Sequence, residues 1–125
     1  AAKEIFKNFD IDLQDFLVIC DDLNITKGEI KLKKNGGDGG HNGLYSLIYH
    51  LNSNNFPRLR FGIGNDFDKG RMADYVLSEI NFNDFELIRK NIDLSIVLLQ
   101  EFISGGVSSM LNYYSTIKNK IKNEL

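Results

Sequence analysis

Five consecutive apolar residues, Phe16-Leu17-Val18-Ile19-Cys20, run directly into two carboxylates, Asp21-Asp22. An unbroken apolar run of this length follows neither the helical period nor the alternation of a half-exposed strand. It suits a short strand covered on both faces, as in α/β sheets. Ligands of open α/β sheets gather beyond the carboxyl ends of strands. The Asp21-Asp22 pair therefore marks the first place to look for chemistry.

The rest of the chain supplies what such a strand needs around it. Residues 1–9 set Ile5, Phe6 and Phe9 on one side at helical spacing, and residues 29–34 alternate polar and apolar, with Lys31 and Lys33 on the outer face. Residues 35–40 hold four glycines in six positions, and His41-Asn42-Gly43 then opens a helix with Leu44, Leu47, Ile48 and Leu51 inward. Past Pro57, residues 58–64 alternate again as a strand. A short helix is expected over 71–77 around Met72, Tyr75, Val76 and Leu77. Asn83 is expected to cap a longer one that turns Phe85, Leu87, Ile88, Ile92, Ile96, Leu99 and Ile103 inward and stops at Gly105-Gly106. A last helix, 107–124, directs Met110, Leu111, Tyr114, Ile117 and Ile121 inward. Helix, strand, strand, helix, strand and three helices, in that order, make an α/β chain.

The 125 residues amount to about one domain, and 42% hydrophobic with 26% charged residues excludes a disordered or collagen-like chain. Net charge is −2, which taken whole argues against a polyanion binder, but the average conceals an asymmetry. Residues 1–26 carry −4, residues 27–71 carry +4 and residues 72–125 carry −2. A single cysteine, Cys20, is what a reducing compartment leaves, so the expected location is the cytoplasm. No apolar run approaches the ~20 residues that span a bilayer, and no membrane partner is expected. The chain opens at Ala1, without Met, inside an apparent helix, so it is expected to be a piece of a longer domain.

Three features converge: Asp21-Asp22, the glycine loop entering His41-Asn42, and the basic residues Lys31, Lys33, Arg58 and Arg60. A glycine-rich loop at a helix start offers free backbone N–H groups to an anion, and the helix dipole adds to the attraction. Together they describe a pocket for something phosphorylated. Each has a plainer reading: Asp21 capping a turn, His41 capping or packing at the helix start, Asn42 satisfying first-turn backbone, the basic block as a solvated face. The loop lacks the Lys-Ser/Thr ending of a nucleotide-triphosphate loop. Asp21, Asp22 and His41 lack the spacing of a metal site. His50, with no polar constellation near it in sequence, is expected at the surface or the core edge.

The strings LVICDDL (17–23), GEIKLKKNGGDGGHNGLYSLI (28–48) and FPRLRFGIG (56–64) closely resemble the middle of bacterial peptidyl-tRNA hydrolases, in the same order and at nearly the same spacing. The likeness continues more loosely through ADYVLS (73–78) to the C-terminal helices. It implies a three-layer α/β sandwich with a mixed, mostly parallel sheet flanked by helices. Residues 1–125 would form the carboxy-terminal two thirds of that domain, its amino-terminal part missing. It also implies a monomer that uses neither metal nor cofactor and hydrolyses the ester between a peptide and the 3′ end of tRNA, recycling tRNA from stalled translation. The chemistry would centre on a His oriented by an Asp, and the pattern puts that Asp at Asp21.

By the same resemblance Asn42 and His41 are substrate-binding, and Lys31, Lys33 and Arg60 hold tRNA phosphates. His41 is the histidine of the GGHNG block, not the base. The base, an Asn beside it and a Met-Asn pair belong to segments ahead of Ala1. Cys20 stands where many members have His, as a tolerated strand residue. Two other classes compete. A non-catalytic RNA-binding relative would have no use for a carboxylate at Asp21 that repels phosphate, and a metal-dependent phosphoesterase lacks ligand spacing.

Overall fold

The computed structural model describes residues 1–124, the side chains of Ile121 and Glu124 excepted, so the expected orientation of Ile121 lies outside the described residues. The elements are α1 (Ala2–Asn8), β1 (Val18–Asp22), β2 (Ile30–Lys33), α2 (Asn42–Leu51), β3 (Arg58–Gly62), α3 (Met72–Val76) and α4 (Phe85–Glu124), with single 3-10 turns at Leu13–Asp15 and Phe82–Asp84. The strands form one mixed sheet in the order β1-β3-β2, with β1 parallel and β2 antiparallel to β3.

Register decides the layers. Cys20 and Lys31 both lie opposite Arg60, and Val18 and Lys33 lie opposite Arg58, so these six residues share one face of the sheet. On that face α2 packs Leu44 against Cys20 and Phe56. The opposite face carries Ile30, Leu32 and Leu59, which meet Leu98 and Met110 of α4 in a second core. Leu44, Phe56, Leu59, Leu98 and Met110 are sealed from solvent. Burial of a side chain of this kind contributes roughly 1.5–3 kcal/mol. Helix, sheet and helix therefore stack as three layers.

Three details differ from the sequence reading. β1 begins at Val18, includes both aspartates, lies at one edge of the sheet among the described residues, and leaves Ile19 half exposed rather than covered on both faces. Asn81, not Asn83, is the cap: its side-chain oxygen accepts from the Asn83 N–H at 3.1 Å, and the 3-10 turn then runs into α4. The stop expected at Gly105-Gly106 is present: α4 consists of two helical stretches, 85–105 and 107–124, separated by a kink at Gly106, whose φ of 76° is open to glycine.

The third is the phase of α4. Ile92, Ile96 and Ile103 face outward, whereas Asn91, Ser95 and Leu98 are buried. Asn91 Nδ2 donates to the Glu29 carbonyl at 3.2 Å and Ser95 Oγ to the Asn91 carbonyl at 2.7 Å. Those bonds make a polar stripe tolerable against the sheet. The stretch around the kink also has a mean hydropathy of 1.5, enough by length and composition to cross a bilayer. Leu98 and Met110 pack it on the sheet, while 11% of that stretch is buried.

Candidate active site

The carboxyl end of β1, the glycine loop and the start of α2 converge on a cavity of about 640 Å³. Asp21, Asp22, His41, Asn42 and Arg60 form its polar side, and Phe67, Met72, Val76 and Leu77 form an apolar side. The pocket is thus divided into a hydrogen-bonding wall and a greasy one.

His41 is the N-cap of α2 and uses both ring nitrogens. Its Nδ1 accepts the Leu44 N–H at 3.2 Å, and its Nε2 lies 2.9 Å from an Asp21 carboxylate oxygen. The chain reaches this cap through a tight turn. Gly40 N–H donates to the Asp38 side chain at 2.8 Å and His41 N–H to the Asp38 carbonyl at 2.9 Å, with Gly39 and Gly40 both at positive φ. Two glycines with no Cβ are what allow consecutive left-handed residues there.

Asp22 performs the turn-capping expected as the plainer role of Asp21: it accepts the Asn24 N–H at 2.8 Å. Its other oxygen pairs with Arg60 Nη1 at 3.2 Å, and Arg60 Nη2 donates to the Gly37 carbonyl at 3.1 Å. Arg60 is therefore in the pocket wall, but with two of its donor groups already engaged by the protein.

Arg58 is fully buried and so is not part of an anion-facing surface. Its Nη1 donates to the Gly37 carbonyl at 2.8 Å and its Nη2 to the Asn54 carbonyl at 2.9 Å, with the guanidinium 4.4 Å from the Phe56 ring centroid. Burial, and then the charge of Arg60, push its pKa below the usual arginine range. Burial likewise raises the Cys20 thiol, which lines the floor of the pocket. That favours an inert thiol over a nucleophile.

Lys31 and Lys33 are exposed on β2 and do not line the cavity. They share a sheet face with Arg60, and the Lys33 stem runs beside Gly36 of the loop. The strand register thus brings Asp21, His41, Asn42 and Arg60 together and leaves the two lysines on an adjoining surface. His50 is exposed, as expected.

Sequence reasoning misses the apolar wall. Met72, Val76 and Leu77 read only as the apolar residues of a short helix, with no sign that they face a cavity, and Met72 is 51% and Leu77 84% exposed. A helix of five residues has too little surface to bury its apolar side unaided. α3 is instead fastened at Tyr75, whose hydroxyl donates to the Ile63 carbonyl and whose ring lies under Lys27 Nζ. Phe67, inside a polar loop, gives no periodic signal. Among the described residues no group of three or more His, Cys, Asp or Glu side chains is arranged to hold a metal ion.

A carboxylate–imidazole pair at a strand end, walled by a glycine loop and an apolar helix, thus forms the pocket of a three-layer α/β domain. The sequence model of the family described as peptidyl-tRNA hydrolase matches residues 1–124, and the chain belongs to that family. Peptidyl-tRNA hydrolase of Hydrogenobaculum sp. (strain Y04AAS1) is 37% identical over 119 residues, covering 95% of this chain and 61% of the relative. That of Fervidobacterium nodosum is 37% identical over 117 residues, covering 94% and 63%. The crystal structure of peptidyl-tRNA hydrolase from Acinetobacter baumannii superposes with a TM-score of 0.77 at 34% identity, over 87% of this chain and 55% of that one. The chain spans about six tenths of the length of these curated relatives.

Proposed function

We propose that this chain carries the substrate-binding part, and the orienting carboxylate, of a cytoplasmic, monomeric peptidyl-tRNA hydrolase. Residues 1–125 would be the carboxy-terminal two thirds of that domain, which would need no cofactor or metal. The reaction is hydrolysis of the ester between a peptide and the 3′ end of tRNA. The observation that carries it is the gathering of Asp21, Asn42 and Arg60, each from a different motif block, around one cavity within a chain of this family. Asp21 serves as the carboxylate that orients a histidine base and stabilises its imidazolium as water is deprotonated, a role worth ~10²–10⁴-fold for acid–base catalysis of this kind. That base would lie in a part of the protein ahead of Ala1. Asn42, exposed at the first turn of α2, donates to the ester or peptide end of the substrate. Lys31 and Lys33 track tRNA phosphates on the surface beside the pocket. Arg60 adds its positive charge from the wall, and the +4 balance of residues 27–71 favours the approach of a polyanion.

The test is turnover and tRNA affinity in the intact protein. Asp21→Ala is expected to lower kcat for peptidyl-tRNA by at least ~100-fold while the Kd for tRNA stays within about threefold. Lys31→Ala with Lys33→Ala is expected to weaken tRNA binding and flatten its dependence on salt by roughly 0.7–0.9 for each phosphate no longer neutralised. Wild-type turnover in Asp21→Ala, or an equal loss of binding in both variants, contradicts this assignment.

A further inference from the structure

The pocket holds a histidine whose two nitrogens are both committed inside the protein. Leu44 N–H is a donor and nothing else, so the His41 Nδ1 it reaches at 3.2 Å carries the lone pair. The ring proton is then on Nε2, directed at the Asp21 carboxylate 2.9 Å away. No nitrogen of His41 is left to take a proton from water. The ring could not occupy this position over an ordinary residue at 43. A Cβ on Gly43 would lie 2.8 Å from His41 Cε1 and 3.1 Å from Nδ1, inside van der Waals contact. Gly43 is thus the space into which the imidazole folds back to serve as cap and as donor at once.

We infer that His41 is a positioning residue: in the Nε2–H form, pinned by the Leu44 amide and accommodated by Gly43, it fixes the rotamer of Asp21. Its ring links the start of α2 to the end of β1. The carboxylate is held by one oxygen, leaving the second to face the group it orients during the reaction. This rests on the hydrolase reading for its effect on rate, but not for the ring geometry itself.

Two measurements test it in the intact protein. Side-chain ¹⁵N NMR is expected to show His41 with a protonated Nε2 and an unprotonated Nδ1 at neutral pH. In Asp21→Ala the Nε2 proton is expected to exchange faster with solvent. The second measurement separates positioning from capping. Asn is among the best N-cap residues but is too short to span to Asp21, so His41→Asn is expected to keep the melting temperature while kcat falls about tenfold at unchanged KM. Gly43→Ala, which leaves every polar group present, is expected to lower kcat similarly by displacing the ring. An Nδ1-protonated ring, an Nε2 proton insensitive to Asp21→Ala, or full turnover in His41→Asn overturns the inference. Absence of peptidyl-tRNA turnover in the wild type would instead count against the hydrolase reading, and the ring measurements would still decide the role of His41.

Discussion

Arg58 shows how a single residue can look like one thing in sequence and do another in the fold. In an alternating strand beside Arg60 it reads as part of a basic surface, yet it lies under the glycine loop with no solvent exposure. Its guanidinium supplies what a loop of four glycines lacks, a fixed anchor: together with Arg60 it holds the Gly37 carbonyl, and it also binds the Asn54 carbonyl. A charge is buried at a cost, offset by these hydrogen bonds and by the Phe56 ring beneath it. Replacing Arg58 with Met is expected to remove one donor each from the Gly37 and Asn54 carbonyls, leaving the first to Arg60 and the second to the Gly36 N–H, and to destabilise the protein by about 1–3 kcal/mol. Urea denaturation reads the loss, and hydrogen exchange should accelerate most in residues 36–40. Arg58→Lys is expected to recover only part of it, because an ammonium does not reproduce the planar fork that reaches two chain segments. Undiminished stability in Arg58→Met would refute the anchoring role.

At the scale of elements, close approach of backbone to backbone fixes where β3 ends. A Cβ on Gly62 would come within 2.3 Å of the Thr26 carbonyl oxygen and 2.9 Å of the Glu29 carbonyl oxygen, neither a flexible side-chain end. The Gly62 N–H itself donates to Glu29 at 2.9 Å, tying the turn before β2 to the sheet. Gly62→Ala is therefore expected to cost about 1–3 kcal/mol by overpacking, seen as a lower urea midpoint at unchanged slope; an unaltered midpoint would contradict it. Such pressure is invisible in the sequence, where Gly62 only interrupts an alternating strand. The strands, α2 and its His41 start were legible because Ile30, Leu32, Leu44 and Leu47 repeat at the period of the element they sit in. The placement of Asp21 and Asn42 at one pocket was legible because long motif blocks carry them. The phase of α4 was not, since two faces of that helix offer apolar residues. The choice between them was made by Asn91 and Ser95, whose hydrogen bonds to Glu29 and within the helix exist only once the layers are stacked. The apolar residues of α3 line a cavity, a placement that their helical spacing alone does not give.

The molecule as a whole should respond to alkali in one direction. Three groups have folded pKa values above their ordinary ones of 9.0, 10.0 and 10.5: Cys20 and Tyr114, pushed up chiefly by burial, and Lys27, pushed up chiefly by its hydrogen bond to Asp84. They sit in different places. Cys20 lies between sheet and α2, Tyr114 bonds the Ile30 carbonyl from α4, and Lys27 pairs with Asp84 at 2.9 Å beside α3. In each case the folded state keeps its proton after the unfolded chain has released it. Below about pH 9 that preference contributes in full, and as pH rises beyond the ordinary values toward the folded ones the unfolded state binds fewer protons, so stability falls. Melting temperatures of the intact protein are expected to decline steadily between pH 9 and 11. Cys20→Ala removes the group that titrates first in the unfolded chain. The start of that decline should therefore move upward, toward the range set by Tyr114 and Lys27. A melting temperature that stays level or rises across this range would show that these groups are not better protonated in the fold than out of it.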